Sequence, residues 1–221
     1  PTDITSHSVA TSHFYDIFRY QILDTNSYIE EIWAYGYWAI DRCARIIKEG
    51  TSFKEVTKGD LAEVEGCIAQ AYAIKALCSF YLTNMFGLPY SEANKTTLGI
   101  VNITEPVPAY SQVSRVSVEQ NYSLILDDIT KAKEYYAKEG VENVGKQYMN
   151  TAAVAALEAR VKLYMKNYEG AITAAQEAIT LSGGTIVSTK EDYKNMYTTL
   201  AVSTEDIFFI AKAEDDYLSA N

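Results

Sequence analysis

The sequence predicts an all-α fold: antiparallel helices stacked as tetratricopeptide-like α-α repeats, with long loops and at most a short strand near the C-terminus. Three observations carry this. Apolar residues recur at i, i+3, i+4 and i+7 through five long segments. Four segments open on a capping-box pattern or its Asp variant, in which the first side chain caps the N3 amide and a Glu or Gln reaches back. The chain holds 18 tyrosines but only 4 prolines, which suits stacked helices with amphipathic aromatic faces and an aromatic surface for a polar ligand.

The first 26 residues are expected to be irregular. "SYIE" (Ser27–Glu30) opens a helix over about 28–48, with a stripe of Ile29, Ile32, Gly36, Ile40, Cys43 and Ile47 flanked by Trp33, Tyr37 and Ala44. A polar loop, "GTSFKEVTKGD", follows over Gly50–Asp60. "DLAE" (Asp60–Glu63) opens a second helix to about 86, with Val64, Ile68, Ala71, Cys78, Leu82 and Met85 in register. Gly87–Ser114 holds Pro89, Pro106 and Pro108, and it is longer than connections in compact domains need, which marks it as functional or as packing over a surface.

"SVEQ" (Ser117–Gln120) opens a third helix over 117–137, where Val118, Tyr122, Ile125, Ile129, Ala132 and Tyr136 alternate at spacings of four and three. Asn150 or Thr151, and then Asn167, cap two helices, 151–165 and 168–181, joined across "MKNY". The second of these carries its stripe on small residues: Tyr168, Ala171, Ile172, Ala175, Ala178 and Ile179. Such a face stabilises little by area alone. It suits close stacking, with the three longer helices as the expected neighbours. "STKE" (Ser188–Glu191) opens a short helix over 189–198, and "DIFFIAK" (Asp206–Lys212) reads as extended or strand.

Composition narrows the function. Nineteen Lys plus Arg face 29 Asp plus Glu, a net charge of −10, which repels phosphate backbones and anionic lipid and argues against nucleic-acid binding. Its longest acidic run is Glu214–Asp216. No apolar run approaches the roughly 20 residues that span a bilayer, and the first residues lack the basic and apolar regions of a signal peptide. Cys67 and Cys78, about 16 Å apart along one helix, cannot bridge. All three cysteines, Cys43 included, read as small buried hydrophobes.

No catalytic constellation is visible. His7 and His13 lie in the N-terminal stretch without a Cys partner, and Asp127 and Asp128 point to different azimuths of one helix. The chain reads as a binding protein rather than an enzyme, without cofactor or metal. Loop aromatics are the candidate sugar-stacking surfaces: Phe53 in the first loop, Tyr90 and Tyr110 in the second. Asn94 and Asn102 are the candidate hydrogen-bonding partners.

"KNYEGAITAAQEAITL" resembles the middle and second helix of a tetratricopeptide repeat, which places a repeat hairpin at 151–184. In order, "IWAYGYWAIDRCARII", "AYAIKALCSFYLTNMFGLPY", "RVSVEQNYSLILDDITKA", "MNTAAVAALEARVKLYMKNYEGAITAAQEAI" and "STEDIFFI" resemble the N-terminal, repeat-bearing part of the SusD/RagB family over roughly 28–210. That resemblance implies a lipid-anchored outer-membrane protein facing the cell exterior. Its role would be to capture oligosaccharide or peptide and deliver it to a SusC-like TonB-dependent porin. Lys75 stands where the family has Arg, and is read as structural, snorkelling or pairing within the bundle; Ala44 stands near a common Asn. Family members are about twice as long, so residues 1–221 are expected to form a single N-terminal helical domain, as a fragment or a short member, without the second half or the anchor. The alternative is a repeat scaffold holding a protein partner in a helical groove.

Overall fold

The computed structural model describes residues 15–56, 61–198 and 203–211. Seven helices and two strands lie among them: α1 (Tyr15–Phe18), α2 (Ser27–Val56), α3 (Ala62–Phe86), β1 (Leu98–Val101), β2 (Arg115–Ser117), α4 (Val118–Tyr136), α5 (Thr151–Tyr164), α6 (Tyr168–Ser182) and α7 (Lys190–Thr198). The helical repeat architecture is therefore as the sequence predicts. His7, His13 and Glu214–Asp216 lie outside the described residues.

Helix ends follow local chemistry, with two corrections. Ser117 and Gln120 form the expected capping box: Gln120 N–H donates to Ser117 Oγ at 3.2 Å, and Ser117 N–H donates to Gln120 Oε1 at 3.1 Å. Asn150 and Asn167 accept from Ala153 N–H and Gly170 N–H as expected. The α2 start belongs to Asn26 rather than Ser27: the Asn26 side chain accepts from Ile29 N–H at 3.3 Å. At α7, Thr189 Oγ1 accepts from Asp192 N–H at 3.1 Å, one residue after the expected Ser188. Leu61 stands at the start of α3 with no side-chain cap, and Asp60 lies outside the described residues.

α2 runs through half of the expected polar loop. The reason is tertiary: α2 and α3 are antiparallel and close, and glycines stand at two of their closest approaches. A methyl group at Gly36 would stand 2.9 Å from Leu82 Cδ2, and one at Gly50 2.9 Å from Ile68 Cγ1. Glycine in a helix costs about 1 kcal/mol against alanine, which this packing and the Lys54–Glu65 ion pair offset.

α3 is the central element, packed on α2, α4 and, more lightly, α5. Ala69, Ala71, Ala73 and Ala76 are all buried on it, so neighbours approach from several sides. One core joins α3, α4 and α5 through Phe80, Tyr122, Ile125, Ile129, Val154 and Val161. A smaller one joins α2, α3 and the long loop through Ile40, Ala44, Leu82, Ile100 and Ile103. Every member of the α4 stripe is buried. In α2 the buried line is Ile40, Cys43 and Ala44, while Ile32 is exposed; in α3 Met85 is exposed. Cys67 is exposed as well, contrary to its reading as a buried hydrophobe.

The α6 stripe is also rotated. Ala171, Ala174 and Ala178 are buried, whereas Tyr168, Ile172 and Ile179 are exposed. The reason is that, among the described elements, α6 packs closely on α5, and it reaches the long helix α4 only through the Lys133–Glu177 ion pair. The strands also fall elsewhere than expected. β1 inside the long loop pairs antiparallel with β2 just after it, with Leu98 opposite Ser117 and Val101 opposite Arg115. Residues 206–211 form no strand; Phe209 N–H donates to Lys146 O at 3.0 Å, and Ile207 and Phe208 pack on the core.

Candidate functional site

The long loop is irregular but firmly held, and three side chains that the sequence did not single out as site residues hold it. Tyr37 Oη donates to Val101 O at 3.0 Å and accepts from Val101 N–H at 2.8 Å. Burial pushes the Tyr37 phenol up to about 12, over the opposing pull of the Val101 hydrogen bond and the Arg115 charge, so it keeps the proton it donates. Asn121 Oδ1 accepts from Ile100 N–H at 2.7 Å, and its Nδ2 donates to Ile100 O at 3.2 Å. Arg115 donates through Nη2 to Phe86 O at 2.7 Å and through Nε to Gly99 O. Asn121 was legible as a lone amide inside the apolar α4 stripe. Tyr37 and Arg115 break no comparable stripe and so gave no such signal.

The five candidate residues divide. Tyr110 is fully exposed, with φ +64°, as the third residue of a turn that Ser111 N–H closes by donating to Pro108 O. A tyrosine in the left-handed region is uncommon. Tyr90 is half-buried, its ring edge-to-face with Tyr122 at 5.0 Å. Asn94 is engaged within its own turn, Nδ2 donating to Pro89 O at 3.0 Å, and Asn102 Oδ1 accepts from Asn121 Nδ2 at 2.5 Å. Phe53 is exposed but helical, in the last turns of α2 rather than in a loop.

Phe53 also lies at the wrong end for a shared site. Its neighbour Lys54 pairs with Glu65 near the start of α3, whereas Tyr90 follows Phe86 at the end of α3. Between those points α3 rises about 31 Å at 1.5 Å per residue. The two expected loops therefore do not form one surface.

Two grooves lie elsewhere. One of about 530 Å³ runs between α3, α5 and the segment 205–210, where Arg160 donates to Tyr81 Oη at 3.0 Å. Another of about 420 Å³ lies along the α5–α6 hairpin, with an alanine floor of Ala159, Ala171 and Ala175 and walls of Leu163, Tyr168 and Ile172. Among the described residues no group of three or more His, Cys, Asp or Glu is arranged to hold a metal, and no helix is long and apolar enough to cross a membrane.

Residues 1–163 match the SusD-like family model described as starch-binding, associating with the outer membrane. The chain belongs to the SusD-like family. The fold agrees. A SusD superfamily protein from Bacteroides thetaiotaomicron VPI-5482 superposes with TM-score 0.79 at 26% identity, covering 93% of this chain and 43% of that one. A SusD superfamily protein from Bacteroides vulgatus ATCC 8482 gives TM-score 0.73 at 25% identity, covering 84% and 41%. A laminarin-binding SusD-like protein shares the fold at TM-score 0.57 and 21% identity, covering 76% and 34%. No curated protein matches the sequence. This SusD-like chain spans less than half the length of those solved structures.

Proposed function

We propose that this chain is part of a non-enzymatic, lipid-anchored protein on the outer face of the outer membrane. The protein captures an oligosaccharide, or a comparably polar peptide, and passes it to a SusC-like TonB-dependent porin. The observation that carries the reading is the match of residues 1–163 to a family described as starch-binding and outer-membrane-associated. Local geometry supports it: the Tyr110 ring is fully exposed in a turn that lies between the Ile100–Val101 segment, held by Asn121 and Tyr37, and Arg115, which bonds Phe86 and Gly99. A flat aromatic face presented from a rigid scaffold suits the C–H face of a sugar. Of the five candidates, Tyr110 is the one proposed as a central contact, with Tyr90, Asn94 and Asn102 shaping its loop and Phe53 apart from it.

The test is calorimetry on the intact protein with starch- and laminarin-derived oligosaccharides. Binding weakened about tenfold or more by Tyr110→Ala is expected, in the range of an aromatic hot spot. Binding unchanged by that substitution places the ligand elsewhere; no binding to any glycan removes the reading. A scaffold role for a protein partner is favoured by the open α5–α6 groove, and Leu163→Asp, which should abolish that partner's binding but not glycan binding, separates the two.

A further inference from the structure

α2 buries one face against α3, its single helical neighbour among the described elements. Its opposite face carries a second ordered stripe: Tyr35, Trp38, Arg42, Ile46, Glu49 and Phe53, at spacings of three, four, four, three and four. That is one side of a helix. Tyr35 and Trp38 are each 58% exposed and pack edge-to-face at 5.2 Å. Ile46 and Phe53 are about half exposed, and Arg42 and Glu49 are exposed. Tyr35 and Trp38 form one apolar contact on this line, and Ile46 and Phe53 are set off from it, and from each other, by Arg42 and Glu49.

The order of the residues is what identifies an occupant. Counted outward from Ile46, one direction meets Arg42 and then Trp38; the other meets Glu49 and then Phe53. At 1.5 Å per residue the charges lie about 6 and 4.5 Å from Ile46, and the aromatics about 12 and 10.5 Å. The stripe is thus nearly its own complement when reversed. An antiparallel copy related by a two-fold axis beside Ile46 places Arg42 against Glu49 of the second copy, and Trp38 against its Phe53. Both contacts then occur twice, as an isologous interface requires. We infer that the outer face of α2 binds a second copy of this chain, antiparallel, with paired Arg42–Glu49 contacts inside paired Trp38–Phe53 contacts.

The test is sedimentation velocity on the intact protein across a wide concentration range. A concentration-dependent dimer is expected. Arg42→Glu should weaken it at least about tenfold by setting like charges together, and so should Glu49→Arg. The double swap, Arg42→Glu with Glu49→Arg, should restore it. Both positions are exposed, so the variants keep the helical circular dichroism of the parent. A protein of monomer mass up to its solubility limit overturns the inference. So does a dimer indifferent to both single swaps, or a glycan that changes Trp38 fluorescence while the mass stays that of a monomer.

Discussion

Lys75 and Asp128 meet inside the helical core, Nζ to Oδ1 at 2.9 Å, with side chains 3% and 4% exposed. Asp128 Oδ2 is buried beside them with no hydrogen-bond partner. The pair ties α3 to α4 at the cost of desolvating two charges. Removing either partner alone strands the other. Lys75→Met or Asp128→Leu is expected to destabilise by about 3–5 kcal/mol, whereas the double substitution should be close to neutral or stabilising. Urea denaturation of the three variants gives the cycle; additive losses would show that the two charges do not act as a pair.

The same pair gives a pH signature. Burial pushes the Asp128 carboxyl up to about 6 from its ordinary 3.8, over the opposing pull of the Lys75 charge. The folded state then holds that proton more tightly than the unfolded chain. Asp128's contribution is therefore fullest below about pH 4 and is lost as pH rises through about 6, a span on the order of 3 kcal/mol. Asp128→Asn should flatten the stability profile between those values. A parent whose stability rises across that window with the same slope as the variant contradicts the assignment.

Ala174 and Ala175 are adjacent on α6 but face different surroundings. Ala174 is buried against α5, while Ala175 is half-buried on the floor of the open groove. Ala174→Leu is expected to cost about 1–3 kcal/mol by overpacking. Ala175→Leu should cost well under 1 kcal/mol, since its side chain can extend into the groove. Equal losses in thermal or urea unfolding would mean the groove is closed in solution.

Gly99 sits under Asn121. A methyl group on Gly99 would stand 1.9 Å from Asn121 Oδ1, the atom that accepts from Ile100 N–H. Gly99→Ala should therefore displace that amide and leave Ile100 N–H unpaired, a loss of about 1–3 kcal/mol. Asn121→Leu should do comparable damage, and the two together should lose less than their sum. Hydrogen exchange at Ile100 is the local readout, and unchanged protection in both variants would refute the arrangement.

Tyr110 and Tyr90 should respond oppositely. Tyr110 has a left-handed backbone and an unburied ring, so Tyr110→Gly is expected to leave stability unchanged or raise it by up to about 1 kcal/mol. Tyr90→Ala removes a ring packed on Tyr122 and should destabilise measurably. Thermal unfolding of both variants separates a presented ring from a packing one.

By itself the sequence determined the helices and their order. Side chains at helical spacing and short-range caps such as Ser117–Gln120 and Asn167–Gly170 act over one or two turns, and the whole α4 stripe is buried as its pattern implies. The caps that moved by one residue, to Asn26 and Thr189, did so where several capping side chains stand in a row. The ordered segments similar to the SusD/RagB family were legible in the same way, and the match over residues 1–163 bears out those that lie within it.

Only the tertiary structure decided which face of each helix is used and where the loops lie. Gly50 stays helical because Ile68 approaches it, so Phe53 is carried about 31 Å along α3 from the Tyr90 end instead of joining it. α6 turns its alanines to α5 and leaves Tyr168 and Ile172 outside, because a period of 3.6 gives a helix an apolar side but not the direction of its neighbour. The pinned loop depends on Tyr37 meeting Val101 and Asn121 meeting Ile100, contacts between a side chain and a distant backbone. Backbone groups are the same in every residue, so no local pattern in the sequence marks which of them such a side chain will find.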